Sequence, residues 1–351
     1  MDSPAPAITE TTAPARKIPK WVIPAAKTFI GVLLLLAIGY TLVKAYGQIL
    51  ENSALFSITH IHWPWLALCG VLYAAALPFP AMYWYVVLRH LDQKPPMTLT
   101  IRAHIIGHLG KYVPGKVMVL LMRAGMLRGK GTDTTVAVLS IFLEGFMQMA
   151  VGALMVVAVF LWWAWSAGGT QWLPYILPLL AVCCLPFFPP VFKRVVKIVA
   201  KKKFSDHLDV LDKFRWPTIL AGIPLMAGFW LILGLSYWAV LQGIGLDVSL
   251  AEYPRYLATI SLAMVAGFVV VLMPGGIGVR EAVMVLPMMP LLATVVSTSG
   301  IQDPKTVQLV LAAAGLIAAI ALRLVWLAVE LLLAGVLYVS YKFRVTSYEK
   351  V

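Results

Sequence analysis

Apolar runs about 20 residues long, the length an α-helix needs to cross a bilayer, recur along the whole chain. Their positions are Val22–Val43, Pro64–Leu88, Thr134–Trp163, Trp172–Phe192, Pro217–Leu241, Arg255–Met273, Val279–Val296 and Thr306–Tyr341. Inside lipid each backbone N–H and C=O must be paired within the protein, so such runs fold as helices that bundle together. Composition agrees: 12% of residues are charged, against about 25% in a soluble domain, and mean hydropathy is +0.88. The fold class expected is all-α, a polytopic transmembrane helical bundle of about eight spans with one or two re-entrant or broken helices. Residues 21–343 would form the membrane domain, between tails at 1–20 and 344–351. The last run exceeds one bilayer and is expected to tilt or to continue beyond it.

A net charge of +13 would suit nucleic acid, but the basic residues sit in short clusters between apolar runs. That is the distribution of cytoplasmic loops under the positive-inside rule. Arg16, Lys17 and Lys20 precede the first run, Lys193–Lys203 follows the fourth, and Lys342, Arg344 and Lys350 follow the last. The uncharged, Trp-bearing loop Trp163–Trp172 reads as an outer interfacial belt. Both termini are therefore expected in the cytoplasm, with the chain in the inner (plasma) membrane and no nucleic-acid partner. The Pro-, Ala- and Thr-rich first twenty residues read as a tail rather than a signal peptide. Lys193, Lys197 and Lys201 share a helix face, which fits either an amphipathic segment on anionic lipid or a solvated loop. Cys69, Cys183 and Cys184 fall within spans as small apolar side chains, with no metal or disulfide framework implied.

One stretch, GHLGKYVPGKVMVLLMRA from Gly107 to Ala124, contains the G-x-x-x-x-G-K opening of a P-loop. A P-loop needs a preceding strand, a Ser or Thr after the Lys, and a flexible glycine turn. Here Val117 follows the Lys, Pro114 lies in the loop, no strand pattern precedes, and no partner aspartate follows an apolar strand. The nucleotide reading fails, and no ATPase motif or cofactor is called for. What remains is an apolar segment interrupted by Gly107, Gly110, Pro114 and Gly115, with halves too short to cross. It reads as a re-entrant hairpin whose second half-helix aims free N–H groups at an anion, with Lys111, Lys116 and Arg123 beside them. Val269–Met289 is interrupted similarly by Pro274, Gly275, Gly276 and Gly278, followed by Arg280 and Glu281. Its partial G-x-G-x-x-G lacks both the third glycine and a strand. Each break could be a kink with packing glycines, but paired interruptions in the two halves of a chain point to a transporter site.

Ionisable residues inside spans are expensive and usually face a cavity or partner. Ser140, Glu144 and Gln148 share one face, as do Arg323 and Glu330. Glu144 is expected to pair with Arg280 or Arg123, or to take up a proton. His104 and His108, one turn apart, suit two metal ligands but lack a third. Ser140 with Glu144 lacks a histidine on its own span for hydrolysis, and no enzymatic activity is expected.

The order GKYVPGKV, RAGMLRG, SIFLEGF and MPGGIGVREA resembles the lysylphosphatidylglycerol synthase transmembrane-region family, also called flippase-like integral membrane proteins. The resemblance runs from the first span to the last. It implies a helical bundle with re-entrant elements that moves lipid between leaflets. In two-domain synthases a separate soluble domain makes the lipid; here only 342–351 follow the last run, so synthase activity is not carried over. Matched to the family's motifs, the substrate-binding residues are Gly110, Lys111, Pro114, Gly115, Lys116, Arg123, Glu144, Pro274, Gly275, Gly276, Gly278, Arg280 and Glu281. One departure is Gly145, where relatives are expected to carry an arginine. The function implied is a flippase or scramblase for a phosphate-bearing amphiphile: a phospholipid, an aminoacyl-phospholipid or a polyprenyl-phosphate-linked lipid. Alternatives are a transporter or channel for a small soluble anion, or a scaffold for a lipid-modifying enzyme. The partners expected are lipid head groups, with a homodimer and a separate lipid-modifying enzyme left open.

Overall fold

The structure, a computed structural model, describes residues 61–112, 117–166, 213–269 and 304–348, together with Leu36, Pro190, Val191, Arg194, Arg280, Val283 and Met284. The expected spans Val22–Val43, Trp172–Phe192 and Val279–Val296 fall almost wholly outside them. Among the described residues the chain is helical throughout. Its α-helices are α1 (Trp63–Ala76), α2 (Pro78–His90), α3 (Met97–His108), α4 (Val117–Leu127), α5 (Thr134–Ser166), α6 (Trp216–Gly243), α7 (Tyr253–Val269) and α8 (Pro304–Tyr348).

Four described helices are long and apolar enough to cross a membrane: Trp63–His90, Thr134–Ser166, Trp216–Gly243 and Ile317–Ser340. They fall on four of the expected runs. The first comprises α1 and α2, joined at Leu77, where Pro78 removes a backbone donor. The run expected at Arg255–Met273 is helical as α7, whose end at Val269 borders residues outside the description. The long final run is one helix of 45 residues, about 68 Å at 1.5 Å per residue, more than twice a hydrocarbon core.

Helix α6 is the axis of the bundle, packed against α1, α2, α5 and α7. Its glycines allow large side chains to come close. A Cβ on Gly152 of α5 would stand 2.5 Å from the Trp230 ring, and one on Gly222 would stand 2.6 Å from Tyr83. The rings fill the space the glycines leave: Trp230, Tyr83 and Tyr237 are completely buried. Outward faces stay apolar, with Val71, Leu121, Leu220, Leu332 and Val336 more than half exposed. At the end of α5, Trp162 and Trp165 are 59% and 85% exposed, as aromatic residues at a membrane boundary are.

Helices α3 and α4 are short, 12 and 11 residues, about 17 Å each and about half of what a bilayer requires. They pack on one another. The chain between them begins with a 3-10 turn, Leu109–Tyr112. The two ends of this hairpin are tied together: the Lys94 N–H donates to the Gly131 carbonyl at 2.8 Å, and the Asp133 N–H donates to Gln93 Oε1 at 2.7 Å. The chain thus leaves and returns at one end of the bundle. That end also carries Arg89, Arg128, Lys130 and Lys213. There Lys213 of the segment before α6 pairs with Asp92, and His90 Nδ1 meets Thr218 Oγ1 at 2.8 Å.

Candidate functional site

The hairpin is wedged into the bundle, α3 against α2 and α8, and α4 against α5. Two glycines make this fit possible. A Cβ on Gly110 would lie 2.7 Å from the Val119 backbone nitrogen, and one on Gly107 would lie 2.4 Å from Arg123 Cγ. The first contact is with backbone, which cannot yield, so the turn needs glycine at Gly110. The second lets the Arg123 side chain lie flat across α3.

Helical spacing sets the polar groups. His104 and His108 are one turn apart on α3, and Lys111 follows in the turn beyond, so two imidazoles and an amine line one face. Arg123 reaches in from α4. Across from them stand two buried carboxylates on other helices, Glu144 of α5 and Glu330 of α8, which are 3% and 0% exposed.

Each carboxylate meets one cation and one imidazole from the hairpin. Arg123 Nη1 donates to Glu144 Oε2 at 2.7 Å, and His104 Nε2 lies 3.4 Å from Glu144 Oε1. Lys111 Nζ donates to Glu330 Oε1 at 2.5 Å, and His108 Nε2 lies 3.9 Å from the same oxygen. The Tyr73 hydroxyl of α1 also donates to Glu330. The two imidazoles link the halves, stacked at 23° with centroids 5.9 Å apart.

Aromatic and hydroxyl groups hold the two ends. The Trp84 indole N–H donates to Ser140 Oγ at 2.7 Å, and the Arg123 guanidinium lies 5.6 Å from the Trp84 ring centroid. At the other end Tyr73 stacks on Trp326 at 4.5 Å, and the Trp326 indole N–H donates to Ser236 Oγ at 3.1 Å. Buried Cys69 joins this end with Sγ 3.3 Å from Ser236 Oγ. The two ends differ in access. The Lys111 and His108 side chains are 24% and 21% exposed, whereas those of His104, Arg123 and Glu144 are at most 5% exposed.

Of the residues singled out in the sequence, Gly110, Lys111, Arg123 and Glu144 come together in this cluster. Arg280 joins its field: it acts electrostatically on Tyr73, His108, Lys111 and Tyr112, and its side chain lies against Gly267 of α7. Pro114, Gly115, Lys116, Pro274, Gly275, Gly276, Gly278 and Glu281 lie outside the described residues. Of the two partners expected for Glu144, the structure selects Arg123. Beside Gly145 a Cβ would meet nothing within 4 Å. No group of three or more metal-ligating side chains gathers among the described residues.

In the sequence Glu330 stands out only as an in-span carboxylate and His104 with His108 only as an incomplete ligand pair; their meeting in one cluster, and the part of Tyr73 in it, come from the structure. A lone carboxylate in an apolar helix was a visible signal for Glu330. Tyr73 carried none, because its role depends on α1 lying against α8.

The family model describing the lysylphosphatidylglycerol synthase TM region matches residues 25–302. The chain belongs to that family. The matched segment takes in the whole hairpin, Glu144 and the second interrupted stretch, and its apolar helices make this family member a multi-pass membrane protein. Glu330 lies beyond the match, on the helix that closes the site. No curated protein and no solved structure matches the chain.

Proposed function

We propose that this protein moves a phosphate-bearing lipid between leaflets, with the head group passing the hairpin while its acyl tails stay in the bilayer. The observation that carries the reading is a cation-bearing hairpin, with helices too short to cross, wedged inside an otherwise apolar bundle. Leu121 of α4 is 57% exposed, which suits a hairpin lying at lipid depth. Broken backbone at that depth is tolerated only beside protein or a water-filled cavity.

Lys111 is the accessible cation, and Arg280 and Arg323 act on it electrostatically. A phosphate reaching Lys111 exchanges hydration for charge-assisted hydrogen bonds, the strongest available to it there. The start of α4 adds backbone donors. The basic end that carries Arg128, Lys130 and Lys213 would face the cytoplasm.

The test is reconstitution into vesicles holding a fluorescent phosphatidylglycerol, with membrane-impermeant bleaching reporting how fast label leaves the protected leaflet. Lys111→Gln combined with Arg280→Gln should slow movement about tenfold or more, as expected for losing a charged hydrogen bond. Movement at the parental rate by folded double variant refutes the assignment.

A further inference from the structure

The two carboxylates pose a question that lipid transport alone leaves open. Lys111 and Arg123, the cations a phosphate would seek, are already held by Glu330 and Glu144. A phosphate that takes a cation strands a buried carboxylate, and a carboxylate with neither water nor partner takes up a proton instead. Two lone pairs stand ready along the line between them. Glu330 Oε2 and His104 Nδ1 are buried and have no hydrogen-bond partner among the described residues, although such atoms are nearly always paired in proteins.

We propose that the head group travels with one proton, which passes between Glu330 and Glu144 through His108 and His104. This deepens the lipid-transport reading and rests on it. In the first step phosphate displaces Glu330 from Lys111, and Glu330 takes a proton through the accessible Lys111–His108 end. In the second, phosphate moves on to Arg123 and displaces Glu144. Released from Lys111, Glu330 closes the 3.9 Å between its Oε1 and His108 Nε2 to hydrogen-bond distance, gives its proton there, and returns to Lys111 as a carboxylate. His108 releases the proton from Nδ1 through a bridging water to His104 Nδ1, a span the 5.9 Å ring separation allows. His104 then gives its Nε2 proton to Glu144 Oε1, 3.4 Å away. When phosphate leaves Arg123, Glu144 gives up the proton on the side the head group exits and pairs with Arg123 again; each imidazole is then neutral in its other tautomer, which ring rotation resets before the next head group. The carboxylate nearest the phosphate is neutral at each step, so the buried charge is unchanged.

All the groups that face this line are consistent with it. Glu144 faces Arg123 of α4, His104 of α3 and Tyr83 of α2. His104 faces Glu144, Arg123 and the Trp84 ring. His108 faces Glu330, Lys111, Arg123, His104 and Arg280. Glu330 faces Tyr73, Tyr112, Lys111 and His108. Neither imidazole has a carboxylate other than the two proposed as its donor and acceptor among these groups.

The experiment follows the leaflet distribution of a trace fluorescent phosphatidylglycerol in phosphatidylcholine vesicles holding the purified protein. A singly anionic lipid carried with one proton is electrically neutral. A gradient of one pH unit should therefore concentrate the label about tenfold in the leaflet facing the alkaline side. A potential of about 100 mV set by potassium and valinomycin should leave it even, whereas unaccompanied anion movement would skew it about fiftyfold. His108→Gln should bring the pH-driven asymmetry toward equality. Label that follows the potential and ignores pH overturns the inference and leaves lipid transport standing, as does label that moves but follows neither gradient. Label that does not move at all overturns both. Should the histidine variant fail to fold, the two gradients applied to the parental protein still decide the matter.

Discussion

Replacing Glu144 by Ala tests whether Arg123 is held as a buried charge. In the structure Arg123 and Glu144 are 4% and 3% exposed, and removing one partner of such a pair leaves an uncompensated ion costing about 3–5 kcal/mol. Two features set the position within that range. The Trp84 face, 5.6 Å from the guanidinium, continues to stabilise the cation by about 0.5–2 kcal/mol. His104, however, loses its carboxylate at the same time. A net loss of about 3 kcal/mol follows, which at about 2–4 °C per kcal/mol lowers the unfolding midpoint by roughly 10 °C. The assay is thermal loss of helical circular dichroism in mild detergent, beside the double variant Arg123→Met with Glu144→Leu. Apolar residues of similar volume commonly replace a buried pair at little cost, so the double variant should melt well above Glu144→Ala. If the single variant shifts the midpoint by less than a few degrees, or the double variant melts lowest of all, the pair is not the buried coupled unit described here.

Gly110→Ala places a Cβ 2.7 Å from the Val119 backbone nitrogen, so the hairpin should fail to close; lipid movement should be lost while α5 and α6 retain their helical content by circular dichroism. Asp92 should add a pH dependence at the basic end. Its hydrogen bond to Lys213 and that cation's charge hold the carboxyl below its ordinary value of 3.8, which favours the ionised form in the folded protein. The stabilisation is present above the ordinary value and is lost as pH falls through the lower folded one. Thermal midpoints of the parent should therefore approach those of Asp92→Asn under acid. Added salt should narrow the difference at neutral pH, and Asn tolerates the positive φ of 58° found there.

Spans were legible because the bilayer demands them: an apolar run of fixed length has one stable outcome in lipid, and α5, α6 and α8 fall where their runs lie. The brevity of α3 and α4 was legible for the converse reason, since the apolar stretches on either side of Gly110 are too short to cross. Partnerships were harder to see. Glu144 could be matched to Arg123 or Arg280 because both are arginines after a Pro-Gly break, and only the flat approach over Gly107 decides between them. The Lys111–Glu330 pair spans 219 residues, and nothing local to either side chain signals the other. Tyr73 and Trp326 were invisible as site residues because they act by stacking across helices, and an aromatic residue in an apolar run reads the same whether it meets lipid or a carboxylate.

The hydrogen bond between Lys94 and Gly131 has a consequence for how the molecule is made. Because the two limbs of the hairpin are tied together at their outer ends, the hairpin can be placed as one unit. It can slip in sideways once neighbouring helices offer a cleft. The counter-ion for Lys111 lies 219 residues further along the chain, so a ribosome must make that whole stretch before the amine finds its carboxylate. Until then the wedge has an unmatched charge and little reason to stay seated, and the helix bearing Glu330 acts as the latch.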